Sequence, residues 1–434
     1  MEASIERVQN LLDRSKVSID RLHFAIKWML SYGEMAWLYA EDLSIYVRRR
    51  HRFLPVRKRT LNEINSRDCY TFFGIYPNQL RSLFVHWRVP ATFVNPANRQ
   101  VFSGEESFII YLYHMMRGYP FTEMARLEFG GDPRYFTFMF KAMNDHLYET
   151  FYNKISGTSL SQWLPSKVDH FRRLIYDKLQ RGRIDEIHHD DDGDIEERRS
   201  IRVPFNYGNF RPIGFLDDTG IATARPGDSA RRNGDIEGID IQRSFYSGYF
   251  SKHGVKAQVV YFPNGLIGSV FVTELRQNDN GVQNMSGLNN YLLRLLEGHT
   301  IGGLLPALYA DGIFRLLPTI VPRFVGGSLS DVERLLNMRM ASVRQIIEHV
   351  FADHDNLFRV FWVPRRLHLM TQGVKIRRMV VNSFFIQNCL YCLNGTRCKF
   401  FGELPPTLEE YIPLDEQLQP PPAVDLGDVW NFNV

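Results

Sequence analysis

The sequence predicts an α/β protein, a mixed sheet with flanking helices, preceded by an all-helical region. Two β-branched runs at residues 255–273 are joined by Pro263-Asn264-Gly265, and Asn-Gly supplies the positive φ that a tight hairpin turn requires. From Ser330 onward, apolar residues recur at helical spacing behind a capping sequence. Upstream, three helical patterns are separated by Gly118-Tyr119-Pro120 and Gly130-Gly131-Asp132.

The chain has 434 residues, 44% hydrophobic and 23% charged, enough for two or three domains with a sizeable core. Its net charge of +4 is unevenly spread. Residues 403–434 hold seven acids and no Lys or Arg, which leaves a surplus of eleven positive charges on residues 1–402. A body of that charge can approach a polyanion. No early segment has the charged start, apolar middle and small-residue site of a secretory signal. The most apolar early run, Leu22 to Ala40, carries Lys27 and Glu34 and is too polar to span a bilayer. No membrane association and an intracellular location are expected. Cys69, Cys389, Cys392 and Cys398 fit a reducing compartment. The last three lack a fourth metal ligand at suitable spacing, so buried thiols are expected.

Residues 1–65 form a helical, basic region. Between Val47 and Arg59, eight of thirteen residues are Lys, Arg or His. Arg48, Arg49, Arg50, Arg57, Lys58 and Arg59 are candidates for a phosphate-binding arm or an import signal, with a solvated helix end as the plain alternative. Residues 66–160 contain helices at Ser107 to Arg117, Phe121 to Phe129 and Pro133 to about Phe151. Asp132 can cap the third helix and Pro133 takes its first position. Two short helices around a Gly-containing turn, then a longer one, make a helix-turn-helix-like pattern. Its recognition residues would be Arg134, Tyr135, Thr137 and Lys141, although a plain three-helix bundle has the same signals. Residues 161–210 form a connector with a charged loop at Glu186 to Glu197.

Residues 211–402 carry the sheet. Pro212 to Thr223 is the first strand, with Asp217 alternating with Phe215 and Thr219 on one face. The hairpin follows as Val255 to Phe262 and Leu266 to Thr273. A helix at Ser286 to Glu297, a strand at Ala307 to Ala310 ending in Asp311-Gly312, a Pro-rich crossing and the long helix complete the domain. In that helix Ser330 is the expected cap with Glu333 three residues on. Val332, Leu336, Met340, Val343, Ile347 and Val350 form its stripe, and Glu348 lies beside the stripe one turn after Arg344. Residues 403–434 are an acidic, Pro-rich tail.

Three strands, a helix, a strand and a helix follow the ribonuclease-H-like order. Asp217 in the first strand, Asp311 at the end of a later one and Glu348 on the next helix can converge at one sheet edge. Such hard oxygen donors suit Mg²⁺ or Mn²⁺, and a pair of ions can activate water and stabilise the leaving oxygen of a phosphodiester. Without cations, three close carboxylates would repel one another.

These residues resemble the DDE endonuclease domain of PIF/Harbinger-type transposases and their host-domesticated relatives, over residues 70–400. Gly214-Phe-Leu-Asp217-Asp-Thr-Gly-Ile looks like the family's first motif. Tyr246 to Gln258, continuing to Phe262-Pro-Asn-Gly-Leu266, is similar to its tract between the first strands. Tyr309-Ala-Asp311-Gly stands where the family has Gly-Asp, and Asn337, Arg344, Glu348 and Phe351 match its helical motif. Asp218 replaces the family's Gly, which makes it an alternative first ligand, although strand parity turns it to the other face. Asn278-Asp279 replaces a His-Asp pair, with Asp279 as a supporting residue. The resemblance implies a two-metal DNA endonuclease or transposase with Asp217, Asp311 and Glu348 as ligands and Arg344 orienting Glu348. It also implies transposon-end DNA and a Myb-like DNA-binding protein as partners, a nuclear location and room for oligomerisation. A domesticated DNA-binding or scaffold protein without turnover is the alternative.

Overall fold

Pro212–Ala222 forms the central strand of a mixed sheet because its residues before Asp217 are almost all apolar, as a strand buried on both faces requires. The computed structural model describes residues 60–181, 185–189, 195–200, 207–226, 242–395 and 397–416. The basic run at 48–59 and most of the acidic tail lie outside them.

In chain order the described helices are α1 (Ser66–Phe73), α2 (Pro77–His86), α3 (Gly104–Arg117), α4 (Phe121–Met124), α5 (Pro133–Ile155), α6 (Leu160–Arg181), α7 (Asp279–Met285), α8 (Leu288–Leu295), α9 (Asp331–Leu357), α10 (Leu369–Asn394) and α11 (Leu408–Tyr411). The strands are β1 (Thr92–Val94), β2 (Val101–Ser103), β3 (Asp185–His189), β4 (Ile195–Ser200), β5 (Pro212–Ala222), β6 (Tyr246–Ser247), β7 (Lys252–Tyr261), β8 (Ile267–Glu274), β9 (Ala307–Ala310) and β10 (Ile320–Pro322). Phe121–Tyr135 falls in one compact unit, and Arg59–Pro120 with Phe136–Val434 in another.

The main sheet runs β10-β9-β5-β7, with β8 and the short β6 both paired to β7. β5, β7 and β8 are antiparallel neighbours, whereas β9 and β10 continue parallel to β5. This order and polarity are consistent with a ribonuclease-H-like fold. The Asn264-Gly265 turn forms as expected, with Gly265 at φ +85°. The segment expected as an irregular Pro-rich crossing contains β10. Pro318 before it and Pro322 at its last position mask a strand that adds at the edge of the sheet, where Pro is tolerated. The stretch expected as a charged loop pairs at its flanks as the antiparallel β3–β4 ladder.

One face of the sheet is covered by α6 and α8. Leu160, Leu164, Val168 and Phe171 from α6 meet Leu216, Val260, Leu308 and Ala310 from the strands and Leu288 and Leu292 from α8. α9 lies against β5, its cap built as expected. Ser330 Oγ accepts from the Glu333 N–H, and Glu333 Oε2 accepts from the Ser330 N–H at 2.8 Å. Leu336, Met340, Val343, Ile347 and Val350 of its stripe are buried, but Val332 in the first turn is exposed.

α10 seals the end of β8. The buried Asn388 accepts from the Ile267 N–H and donates to the Ile267 carbonyl, both at 2.8 Å, which pairs main-chain groups at the start of the strand. Residues 136–155 of α5, expected in a separate helical domain, pack on the same helix. Phe151 stacks on Phe385 at 4.8 Å, and Asn382 Nδ2 donates to the Asn144 side chain at 3.0 Å. Among the described residues, no helix is long and apolar enough to cross a membrane. Cys69 and Cys389 are buried free thiols, pushed by burial up to about 11 and about 12.

Candidate active site

Strand register brings Asp217 and Asp311 side by side. β5 and β9 run parallel with Leu216 opposite Ala310, so the next residue of each strand lies at the same level. β9 and β10 repeat the relation with Ala310 opposite Pro322, which sets Arg323 next to Asp311. Alternation then selects the face. Leu216, Leu308 and Ala310 enter the core shared with α6 and α8, so Asp217, Asp311 and Tyr309 turn to the opposite face, where α9 lies.

Arg344 of α9 ties this face together. Its Nη1 donates to Asp217 Oδ2 and its Nη2 to Glu348 Oε1, both at 2.7 Å. The second contact is the expected pair one helical turn apart; the first joins residues 127 positions apart. Asp311 has its own cation, with Arg323 Nε 3.2 Å from Oδ1. The N–H of each following residue supports both aspartates: Asp218 donates to Asp217 Oδ1 at 2.9 Å and Gly312 to Asp311 Oδ1 at 2.7 Å.

The segment carrying Arg323 is held from α9. Asn337 Oδ1 accepts from the Phe324 N–H at 2.9 Å, and its Nδ2 donates to the Phe324 carbonyl at 2.8 Å. Gly312 makes room for the same segment, since a Cβ there would fall 2.8 Å from Arg323 Nε and 2.6 Å from Val325 Cγ1. Asn337 and Gly312 therefore keep Arg323 against Asp311.

Burial pushes the Asp217 carboxyl up to about 6; the Arg344 guanidinium opposes that rise, while the Asp311 and Glu348 carboxylates add to it. Both of the other acids thus act on Asp217 through space. Their exposure differs in a useful way: the Asp217 side chain is 18% exposed and that of Glu348 54%. Glu348 can therefore move toward an incoming group while Asp217 is fixed. Tyr309, at the same strand level as Phe215, is raised to about 12, chiefly by burial, and feels Arg344, Arg323 and Asp311 together.

Asp218, which strand parity turns to the other face, lies there as expected, and Asp279, expected as a supporting residue, lies on that face too. Asp218 is opposite Gln258 and Gly220 opposite Lys256 on β7, so Asp218 and Lys256 share the face away from Asp217. Asp279 binds Lys256 Nζ at 2.5 Å there. Burial, with the Asp279 charge second, holds the Asp218 carboxyl well above the carboxylate range. Both Asp218 oxygens are enclosed without a hydrogen bond of full geometry, although the neighbouring Gln258 restrains the rise. The enclosed Asp218 carboxyl thus faces away from Asp217, on the side of Lys256 and Asp279.

Arg134, Tyr135, Thr137 and Lys141 are exposed on α5, with Arg134 Nη2 held 2.5 Å from Asp132 Oδ2. Arg48, Arg49, Arg50, Arg57, Lys58 and Arg59 lie outside the described residues. Sequence reasoning missed Tyr309 and Arg323. Tyr309 was detectable by parity, two residues before Asp311. Arg323 had no signal, because the strand it follows is hidden in a Pro-rich stretch.

The donor set of Asp217, Asp311 and Glu348 is chemically right for a hard divalent cation. Among the described residues, no three His, Cys, Asp or Glu side chains are gathered closely enough to hold an ion as placed. Here guanidinium groups satisfy the carboxylates. No curated protein and no solved structure matches the chain. Residues 216–386, from the strand bearing Asp217 through most of α10, match the family model described as DDE superfamily endonuclease.

Proposed function

We propose that this chain is a metal-dependent DNA endonuclease or transposase of the PIF/Harbinger type that its motifs resemble. What supports the reading is that Asp217 and Asp311 lie level on adjacent parallel strands and that Arg344 bonds both Asp217 and Glu348, inside the segment that matches DDE endonucleases. Those three residues would hold Mg²⁺ or Mn²⁺. When bound, the ions supply Lewis-acid activation of water and stabilisation of the leaving oxygen. Asp217 anchors the site from a rigid central strand, Glu348 closes it from α9, and Arg344 sets the Glu348 rotamer. Asp217 loses its proton as pH rises through about 6, so its oxygens are ready for a cation at neutral pH.

The DNA is gripped elsewhere. Arg134, Tyr135, Thr137 and Lys141 are each exposed and of types that meet phosphates and base edges. The basic residues at 48–59 add an electrostatic arm, and a Myb-like partner in the nucleus supplies sequence choice, as the resemblance implies. A second reading, a DNA-binding or scaffold protein without turnover, draws on one observation: arginines already satisfy the acidic residues.

Cleavage of plasmid or terminal-repeat oligonucleotides with Mg²⁺ or Mn²⁺ separates the two. The wild type cuts, and Asp311→Ala loses more than the roughly 10–100-fold typical of outer-shell partners. Undiminished cleavage by Asp311→Ala refutes the site. No cleavage by the wild type, with salt-sensitive DNA binding retained, favours the scaffold reading.

A further inference from the structure

Arg344 has a geometry that simple orientation of Glu348 does not require. One guanidinium nitrogen would suffice to hold a carboxylate on the same helix. Instead the fork spans two elements, Nη2 on Glu348 of α9 and Nη1 on Asp217 of β5, each at 2.7 Å. The Arg344 side chain is only 19% exposed, so its charge sits between the two carboxylates rather than over them in solvent. That guanidinium contacts two of the three carboxylates proposed as metal ligands.

We propose that Arg344 is a built-in counter-cation, which holds Asp217 and Glu348 closed in the metal-free protein and which a divalent ion must displace. The proposal rests on the reading above that these carboxylates bind metal. The structure supplies the means of exchange. Glu348 is 54% exposed and free to swing with the ion, whereas Asp217 stays fixed in the central strand. Arg323 does not compete for the same oxygens, since it pairs with Asp311. Arg344 is therefore the gate for two of the three acids, and Arg323 neutralises the third.

Two consequences follow from charge. A unit positive charge a few Å from a divalent ion opposes its binding, even at the effective dielectric of a protein surface. Removing Arg344 should thus tighten metal binding, although it removes a group that touches two of the proposed ligands. A positioning role alone predicts the reverse, because loosened carboxylates bind a cation less well. The sign of the change distinguishes the two.

The test is Mn²⁺ binding to the full chain without DNA, by calorimetry or by the resonance of free Mn²⁺. Arg344→Gln should bind about tenfold tighter or more than wild type. Arg344→Lys should fall between them, since an ammonium meets one carboxylate at a time. Adding Asp217→Asn to Arg344→Gln should abolish the gain, which locates the ion. Melting gives a second readout. Arg344→Gln should melt lower without metal and show a larger Mn²⁺-induced rise than wild type. Equal or weaker Mn²⁺ binding by Arg344→Gln, with wild type binding normally, overturns the gate and leaves the metal site standing. No Mn²⁺ binding by either protein overturns both.

Discussion

Asp217→Asn should stabilise the fold while removing a proposed metal ligand. The carboxyl titrates at about 6 in the folded chain against 3.8 for a free side chain, with burial as the main cause. The folded state therefore keeps its proton through a window in which the unfolded chain has lost it. Stability falls as pH rises from about 4 to about 6 and stays at the lower level above that. The difference corresponds to a net cost on the order of 3 kcal/mol at neutral pH, with the attraction of Arg344 already included. Asn is close in shape to the protonated acid and carries no charge. The variant should gain about 1–3 kcal/mol over wild type at pH 8, and the gain should vanish near pH 4. Urea denaturation at several pH values measures it, in chelator to exclude metal. The same titration should show wild-type Mn²⁺ affinity falling as pH drops through about 6, because protons compete for Asp217. An Asp217→Asn protein less stable than wild type at pH 8 would refute the reasoning, since the Arg344 contact would then outweigh the burial of the charge.

Asn337→Ala removes both hydrogen bonds to Phe324 and should cost about 1–2 kcal/mol in urea denaturation. Asn337→Asp should be no better, because it sets a carboxylate against the Phe324 carbonyl; a change below about 0.3 kcal/mol in either would show that the clasp is not what holds the Arg323 segment. If α5 meets DNA phosphates, Lys141→Ala should lower the slope of log affinity against log salt by about one. Arg134→Ala should lower it by less, because Asp132 already neutralises that guanidinium, and unchanged slopes in both would place the contact elsewhere.

The amino-acid sequence by itself determined the local pieces. Ser330 and Glu333 specify the start of α9 because a capping box is written in adjacent turns. Asn264-Gly265 specifies the β7–β8 turn, and Ala307–Ala310 is the strand that its apolar run predicts. Arg344 and Glu348, one turn apart, had to be neighbours on any helix. Strand alternation likewise suffices to put Asp218 on the far face from Asp217.

What only the tertiary structure decided is who meets whom across the sheet. The Pro-flanked β10 gains its identity by pairing with β9, and with it Arg323 reaches Asp311. Asp279 bonds Lys256 on the opposite face because β7 runs antiparallel to β5 in a register that sets Lys256 level with Gly220. The contact from Arg344 to Asp217 depends on the angle at which α9 lies over β5, which no local pattern encodes. That contact links Asp217 and Glu348 through one guanidinium. Local sequence sets propensity and periodicity, whereas long-range register and packing set the distances on which electrostatics acts.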